Sequence, residues 1–243
     1  METPRPLILA ILLGALLLAT PFFVRSYAAD TTHAALTEEI VRLYNLRFPE
    51  KNIADADAEH IIQGSIDEDT DARWLRHFYD PVHNRGLSYL GMQWQSAKGW
   101  AGDTLAQATH KLQDIPKRTL YGKIKDTFSG ETDYSWERGI YEYAWGDKER
   151  GMKALGHTLH LLEDMSVPDH TRNDPHPGLG KRLNLPFLNH HDLTNTSPYE
   201  SFAVFNRGTL KVADQLKTET PITKSSLDEY IESMAMYSNK NFF

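Results

Sequence analysis

The sequence predicts an all-α protein, a single-domain helical bundle with one long loop, and three observations lead there. Apolar residues recur at helical spacing in segment after segment. Alternating β-branched runs, the mark of half-buried strands, are nearly absent. Pro168, Pro175, Pro177, Pro186 and Pro198, with Gly178 and Gly180, gather between Ser166 and Pro198, a stretch that cannot continue a helix. A chain of 243 residues that is 40% hydrophobic can bury one sizeable core and is short for two domains.

Residues 7–23, LILAILLGALLLATPFF, form an uncharged apolar run behind Arg5, and small residues follow at Ser26, Ala28 and Ala29. That layout predicts a signal peptide over residues 1–28, cleaved near Ala28 or Ala29, ahead of one domain at 29–243. Pro21, and a helix-favouring core of only Leu7 to Ala19, weigh against an uncleaved membrane anchor. The expected location is outside the cytoplasm, secreted or periplasmic. Beyond the leader, Leu36, Ile40, Leu43 and Tyr44 predict an amphipathic helix ending near Phe48 and Pro49. Ile61 and Ile62 mark a second, shorter helix. Residues 85–112 hold scattered apolar positions and alanines with light turn punctuation, which predicts one or two more. Asp133–Trp145, Lys148–Met165, Tyr199–Lys217 and Leu227–Tyr237 complete the expected bundle.

The formal net charge is −7, and loss of the leader removes Arg5, Arg25 and Glu2, leaving an acidic chain. Such a chain is poorly suited to polyanions, so stable nucleic-acid binding is not expected, although bound divalent metals reverse the field locally. With no cysteine there is neither a disulfide nor a thiolate zinc site, and any metal ligands must be imidazoles and carboxylates.

The strongest local signal is GHTLHLLEDMSVPDH, residues 156–170. His160 and Asp164 stand four apart and share one helix face, Pro168 ends the helix, and His170 follows in the emerging loop. Three potential metal ligands thus surround one turn. The spacing alone fits equally well a His–Asp pair that hydrogen-bonds within the helix. His33 lies directly before the first helix, a place where a histidine is ordinarily a surface residue. His77 sits among Trp74, Leu75, Phe78 and Tyr79, where a buried imidazole needs a partner. Asp69 belongs to the acidic run Asp67, Glu68, Asp69, Asp71, ordinarily a solvated loop. Glu200, three residues after Ser197 with Pro198 between, reads as a capping box. His170, His176, His190 and His191 lie in the proline-rich loop, which favours a functional loop over a linker.

Taken together, His160-xxx-Asp164-xxxxx-His170, with Gly156 ahead and Pro168 inside, resembles the signature of the zinc-dependent bacterial phospholipases C and the related single-strand nucleases. HFYDP at 77–81 is similar to the phospholipases' second metal motif, GSIDED at 64–69 to the stretch supplying a carboxylate, and YESF at 199–202 to the last ligand segment. The matches run in the family's order from His33 to Phe202. The resemblance implies a cluster of up to three zinc ions: Asp69, His77 and His160 on one, Asp164 bridging to a second that takes His33, and His170 with Glu200 on the third. Thr196 stands where the family has a further histidine, so His190 or His191, or less directly His176, would complete that third site. Family members often begin the mature chain with a tryptophan whose amine ligates metal, whereas the expected cleavage here would leave alanine or aspartate first.

The reaction implied is hydrolysis of a phosphodiester, chiefly a phospholipid, by metal-activated water, with Asp69 as a ligand or as the base that orients the water. Transient contact with a membrane surface goes with such a substrate. A single-strand nuclease on the same scaffold, or an inactive zinc-binding relative, are the alternative readings.

Overall fold

Helices dominate the computed structural model, which describes residues 32–70, 73–89, 91–110, 131–174 and 211–241. In chain order these are α1 (Ala34–Arg47), α2 (Asp55–Asp67), the strands β1 (Ser88–Tyr89) and β2 (Met92–Gln93), α3 (Ala97–Gly102), α4 (Thr104–Thr109), α5 (Trp136–Trp145), α6 (Lys148–Asp164), α7 (Pro168–Thr171), α8 (Ala213–Leu216) and α9 (Leu227–Asn241). Short 3-10 turns lie at Pro49–Lys51 and Arg73–Arg76. The fold is all-α, and its one small sheet pairs Ser88 with Gln93 and Tyr89 with Met92. No helix among the described residues is long and apolar enough to cross a membrane.

Helix α6 is the axis. Its start is set by Asp147, whose carboxylate accepts from the backbone N–H groups of Glu149 and Arg150. Ser135 caps α5 in the same way, accepting from Arg138 N–H, and Gly146 turns α5 back onto α6. Helix α2 lies against α6 at unusually close range. A Cβ at Gly156 would meet the Ile61 carbonyl oxygen at 1.9 Å, and one at Gly64 would meet that of Lys153 at 2.1 Å. Only glycine permits this approach. Its consequence is that side chains at the end of α2 reach those on the middle of α6.

Two apolar clusters flank that axis. Tyr79, Trp100, Leu161, Met165, Ile231 and Ala235 are buried together, with α9 closing the cluster from outside. Each fully buried large side chain contributes on the order of 1.5–3 kcal/mol. The second cluster is smaller: Val41, Ile61 and Met152 form its buried part, with Ile53, Leu155 and Leu159 packed against them.

The helices expected near Leu36, Ile61, Trp145, Leu161 and Leu227 are present with nearly the expected limits. Residues 85–112 differ, since a β-hairpin occupies their first part and two six-residue helices follow. Gly91, at φ 77°, takes the left-handed conformation the hairpin turn requires, and a Cβ at Gly86 would strike the Trp94 carbonyl oxygen at 2.6 Å, so the chain doubles back here. Neither glycine breaks a helical pattern strongly enough to announce a strand. Of Tyr199–Lys217, only Ala213–Leu216 is helical among the described residues. The proline-rich stretch begins with the one-turn helix α7, with Pro168 at its first position, and residues 175–198 lie outside the described residues.

Candidate metal centre

The close contact of α2 with α6 places His160 beneath the end of α2. Its Nδ1 donates to the Ser65 carbonyl oxygen at 2.6 Å, which leaves the Nε2 lone pair facing inward. His77, from the turn after Arg73–Arg76, brings Nδ1 to 3.3 Å from that Nε2. Asp164, one turn further along α6, sets Oδ2 at 2.9 Å from His77 Nδ1 and 3.3 Å from His160 Nε2. Asp69, just past α2, adds Oδ1 at 3.5 Å from His77 Nδ1 and 3.7 Å from His160 Nε2. All four residues are buried.

The other oxygen of Asp164 faces a second group. Its Oδ1 lies 3.5 Å from His33 Nε2 and 3.7 Å from His170 Nδ1, and the His33 and His160 rings stack with centroids 3.6 Å apart. His33 is buried at the N-cap of α1, not on the surface. His170 donates from Nδ1 to the His77 carbonyl oxygen at 3.1 Å, which ties α7 to the chain segment carrying His77. Two sets, Asp69–His77–His160 and His33–His160–Asp164, each have ligand atoms close enough together to hold a metal ion.

Two glutamates complete the surroundings, and each directly precedes a candidate ligand. Glu163 accepts from His33 Nδ1 at 2.6 Å and from the Thr37 hydroxyl at 2.8 Å. Glu68 accepts from Arg73 Nε at 2.7 Å and from Trp100 Nε1 at 2.8 Å, and also bonds His157 Nδ1. Neither glutamate, nor His157, stood out in the sequence. The available signal was the repeated Glu-Asp dipeptide, at 68–69 and 163–164, whose two carboxylates must point different ways from one helical turn.

Burial and charge work against each other throughout the cluster. Burial alone would push the His33 and His77 imidazoles down. Asp164 with Glu163 at His33, and Asp164 with Glu68 and Asp69 at His77, outweigh it and carry both to about 10. Burial raises Asp164, yet His170, His160 and His77 hold it well below the usual carboxylate range. Asp69 goes the other way: burial lifts it more than His160 and His77 lower it. Both Asp69 carboxylate oxygens and His77 Nε2 lack a hydrogen-bond partner among the described residues. Leaving such groups unsatisfied in the interior costs about 1–3 kcal/mol each, so the cluster as it stands calls for a cation.

A divalent metal fits this donor set. Nitrogen and oxygen ligands each about 2 Å from a tetrahedral ion lie about 3.3 Å apart. The separations among His77 Nδ1, His160 Nε2, Asp164 Oδ2 and Asp69 Oδ1 quoted above, from 2.9 to 3.7 Å, bracket that value. Of the ligands expected from the sequence, the structure brings together His33, Asp69, His77, His160, Asp164 and His170. It places His170 against the same Asp164 oxygen as His33. His176, His190, His191, Thr196 and Glu200, on which the third ion depends, lie outside the described residues.

Comparison with protein-family models, with curated proteins and with solved structures finds no match to this chain in any of the three. The family likeness rests on the motifs alone.

Proposed function

We propose that the protein is a zinc-dependent phosphodiester hydrolase of the phospholipase C type. The observation that supports this reading best is the two-sided carboxylate of Asp164, one oxygen toward His77 and His160 and the other toward His33 and His170. A carboxylate so placed suits two cations a short distance apart, the arrangement that would stabilise both the attacking and the leaving oxygen of an in-line displacement at phosphorus. His33, Asp69, His77, His160 and Asp164 would hold the ions, with His170 beside them. Zinc bound here would supply hydroxide near neutral pH by lowering the pKa of its water toward about 7.

The chain's own residues have distinct parts in this scheme. Ser65 and Glu163 fix the orientation of His160 and His33 through their Nδ1 atoms, so that the other nitrogens face the cluster. Asp69, whose oxygens have no hydrogen-bond donor among the described residues, would orient or deprotonate the attacking water. Glu68 and Arg73 neutralise each other behind His77 and keep the wall of the site dry. Preference for a phospholipid over a nucleic acid is supported by the HFYDP motif and the acidic charge.

The test is elemental analysis of the purified protein, followed by hydrolysis assays on phosphatidylcholine vesicles and on single-stranded DNA before and after chelation. Two or three zinc ions per chain, with zinc-restored release of phosphocholine, are expected. Cleavage of DNA alone would move the assignment to a nuclease. Activity indifferent to chelation, or at most one ion per chain with no turnover, would overturn it.

A further inference from the structure

Helix α6 has a second face. His160 and Asp164 point to the metal cluster, while Met152, Leu155 and Leu159 lie on the opposite side at helical spacing. There, α1, α2, α5 and α6 enclose a half-open groove of about 580 Å³, within the range of small-molecule sites. Its floor is the small cluster of Val41, Ile61 and Met152. Apolar side chains that a closed core would cover stand exposed along it, Ile40 at 39%, Ile140 at 47% and Tyr143 at 59%.

The groove is polar at one end only. Lys51, Asn52, Asp57 and Lys148 line the end formed by the starts of α2 and α6, where Lys148 Nζ bonds Asp57 Oδ2 at 2.6 Å. That pair neutralises itself, and Lys51 is left as the excess cation, with no ion-pair partner among the described residues. The other end is made by Ile40, Ile61, Trp136 and Leu159. From Lys148 to Leu159 the wall follows α6 for about 16 Å, a length that suits an extended hydrocarbon chain.

We propose that this groove binds a long-chain fatty acid, its tail along Met152, Leu155 and Leu159 and its carboxylate at Lys51. The complementarity is of both kinds: an apolar trough matches the tail, and one uncompensated positive charge at one end matches a single negative head group. The opposite-face position separates this ligand from whatever is hydrolysed at the cluster. Occupancy of the groove is therefore independent of the chemistry proposed for the metals.

Isothermal titration of the full chain with dodecanoate and with dodecyltrimethylammonium, which share a tail and differ in head-group charge, tests this. Dodecanoate should bind saturably, one per chain, and about tenfold more tightly than the ammonium probe. Lys51→Glu should abolish or reverse that preference. Ala144→Trp, at an exposed groove-lining position on α5, should remove saturable binding. Both variants should keep the parent's metal content and melting temperature. Equal binding of the two probes, or parent-like uptake by Ala144→Trp, overturns the proposal. So does a dimer in sedimentation that Ala144→Trp dissociates, which would assign the groove to a second copy. Uptake that begins only once residues 1–28 are removed would assign it to the leader and equally overturn the proposal.

Discussion

The two faces of α6 invert the ordinary rule for a helix in water. Histidines and carboxylates, costly to bury, are sealed inside on one face, with His160 and Asp164 fully inaccessible. Met152, Leu155 and Leu159 on the other face line a half-open groove. A helix chosen only for stability would do the reverse. The difference teaches where the fold spends its stability: the polar face is held by specific neighbours. Gly64 and Gly156 allow the close approach, Glu163 and Ser65 hold the imidazoles, and Arg73 balances Glu68. On the apolar side, the exposed rim of the groove at Ile140 and Tyr143 is the place where substitution should matter least.

The largest break in this contrast comes from Asp164→Asn. An amide cannot neutralise imidazoles or cations on two sides at once, so turnover should fall on the order of a thousandfold or more. Metal content should drop by more than one ion per chain in elemental analysis. An unchanged stoichiometry would show that Asp164 does not join the two ligand groups. Next in size is Glu163→Gln, which keeps the shape beside His33 but removes the charge. Zinc affinity measured by competition with a chelating dye should weaken about 10–100-fold, the usual effect of losing a carboxylate behind a ligating histidine. An affinity equal to the parent's would place His33 outside the metal site.

Protons sharpen the comparison further. In the metal-free protein His33 and His77 hold their protons up to about 10, against about 6.5 in an unfolded chain. Their contribution to metal-free stability is therefore complete below about 6.5 and is lost as pH rises through about 10. His110 and His157 behave oppositely. Burial, with Arg73 nearby, depresses both to about 4. As pH falls from about 6.5 toward 4 the unfolded chain takes up protons these two refuse, and stability declines. Melting curves of chelated protein should thus fall away on both sides of a plateau near neutrality. Zinc must displace the protons on His33 and His77, so adding it to unbuffered metal-free protein at about pH 7.5 should acidify the solution. No acidification would mean that these imidazoles are not ligands. The smallest effect belongs to the other face: Tyr143→Ala, at an exposed position on the groove, should shift stability by less than about 0.5 kcal/mol in denaturant melts. A loss of several kcal/mol would show that the groove is closed in solution.

Much of the cluster was legible because it is written in local spacing. His160 and Asp164 share a face by helical periodicity, and Pro168 fixes where the chain leaves toward His170. The hairpin at residues 88–93 was not legible. Its cause is a left-handed glycine and a close backbone approach, neither of which leaves a periodic trace. Glu163 and Glu68 were hidden for a related reason: beside a better candidate, a glutamate on a helix reads as solvated until the partner is known.

By itself, the sequence determined that this chain is helical, that any metal ligands are nitrogen and oxygen, and that one motif sets His160 and Asp164 on a single helix face just ahead of His170. Those are properties of composition and of contacts within a turn or two. Only the tertiary structure decided that His33, 130 positions from Glu163, bonds it inside the protein, and that Asp69 and His77 meet the α6 ligands. It also decided that α6 has an open apolar side. The reach of Asp69, just past α2, to His160 depends on how closely α2 can approach α6. That distance is set by the missing side chains at Gly64 and Gly156, and their effect exists only once the two helices are packed.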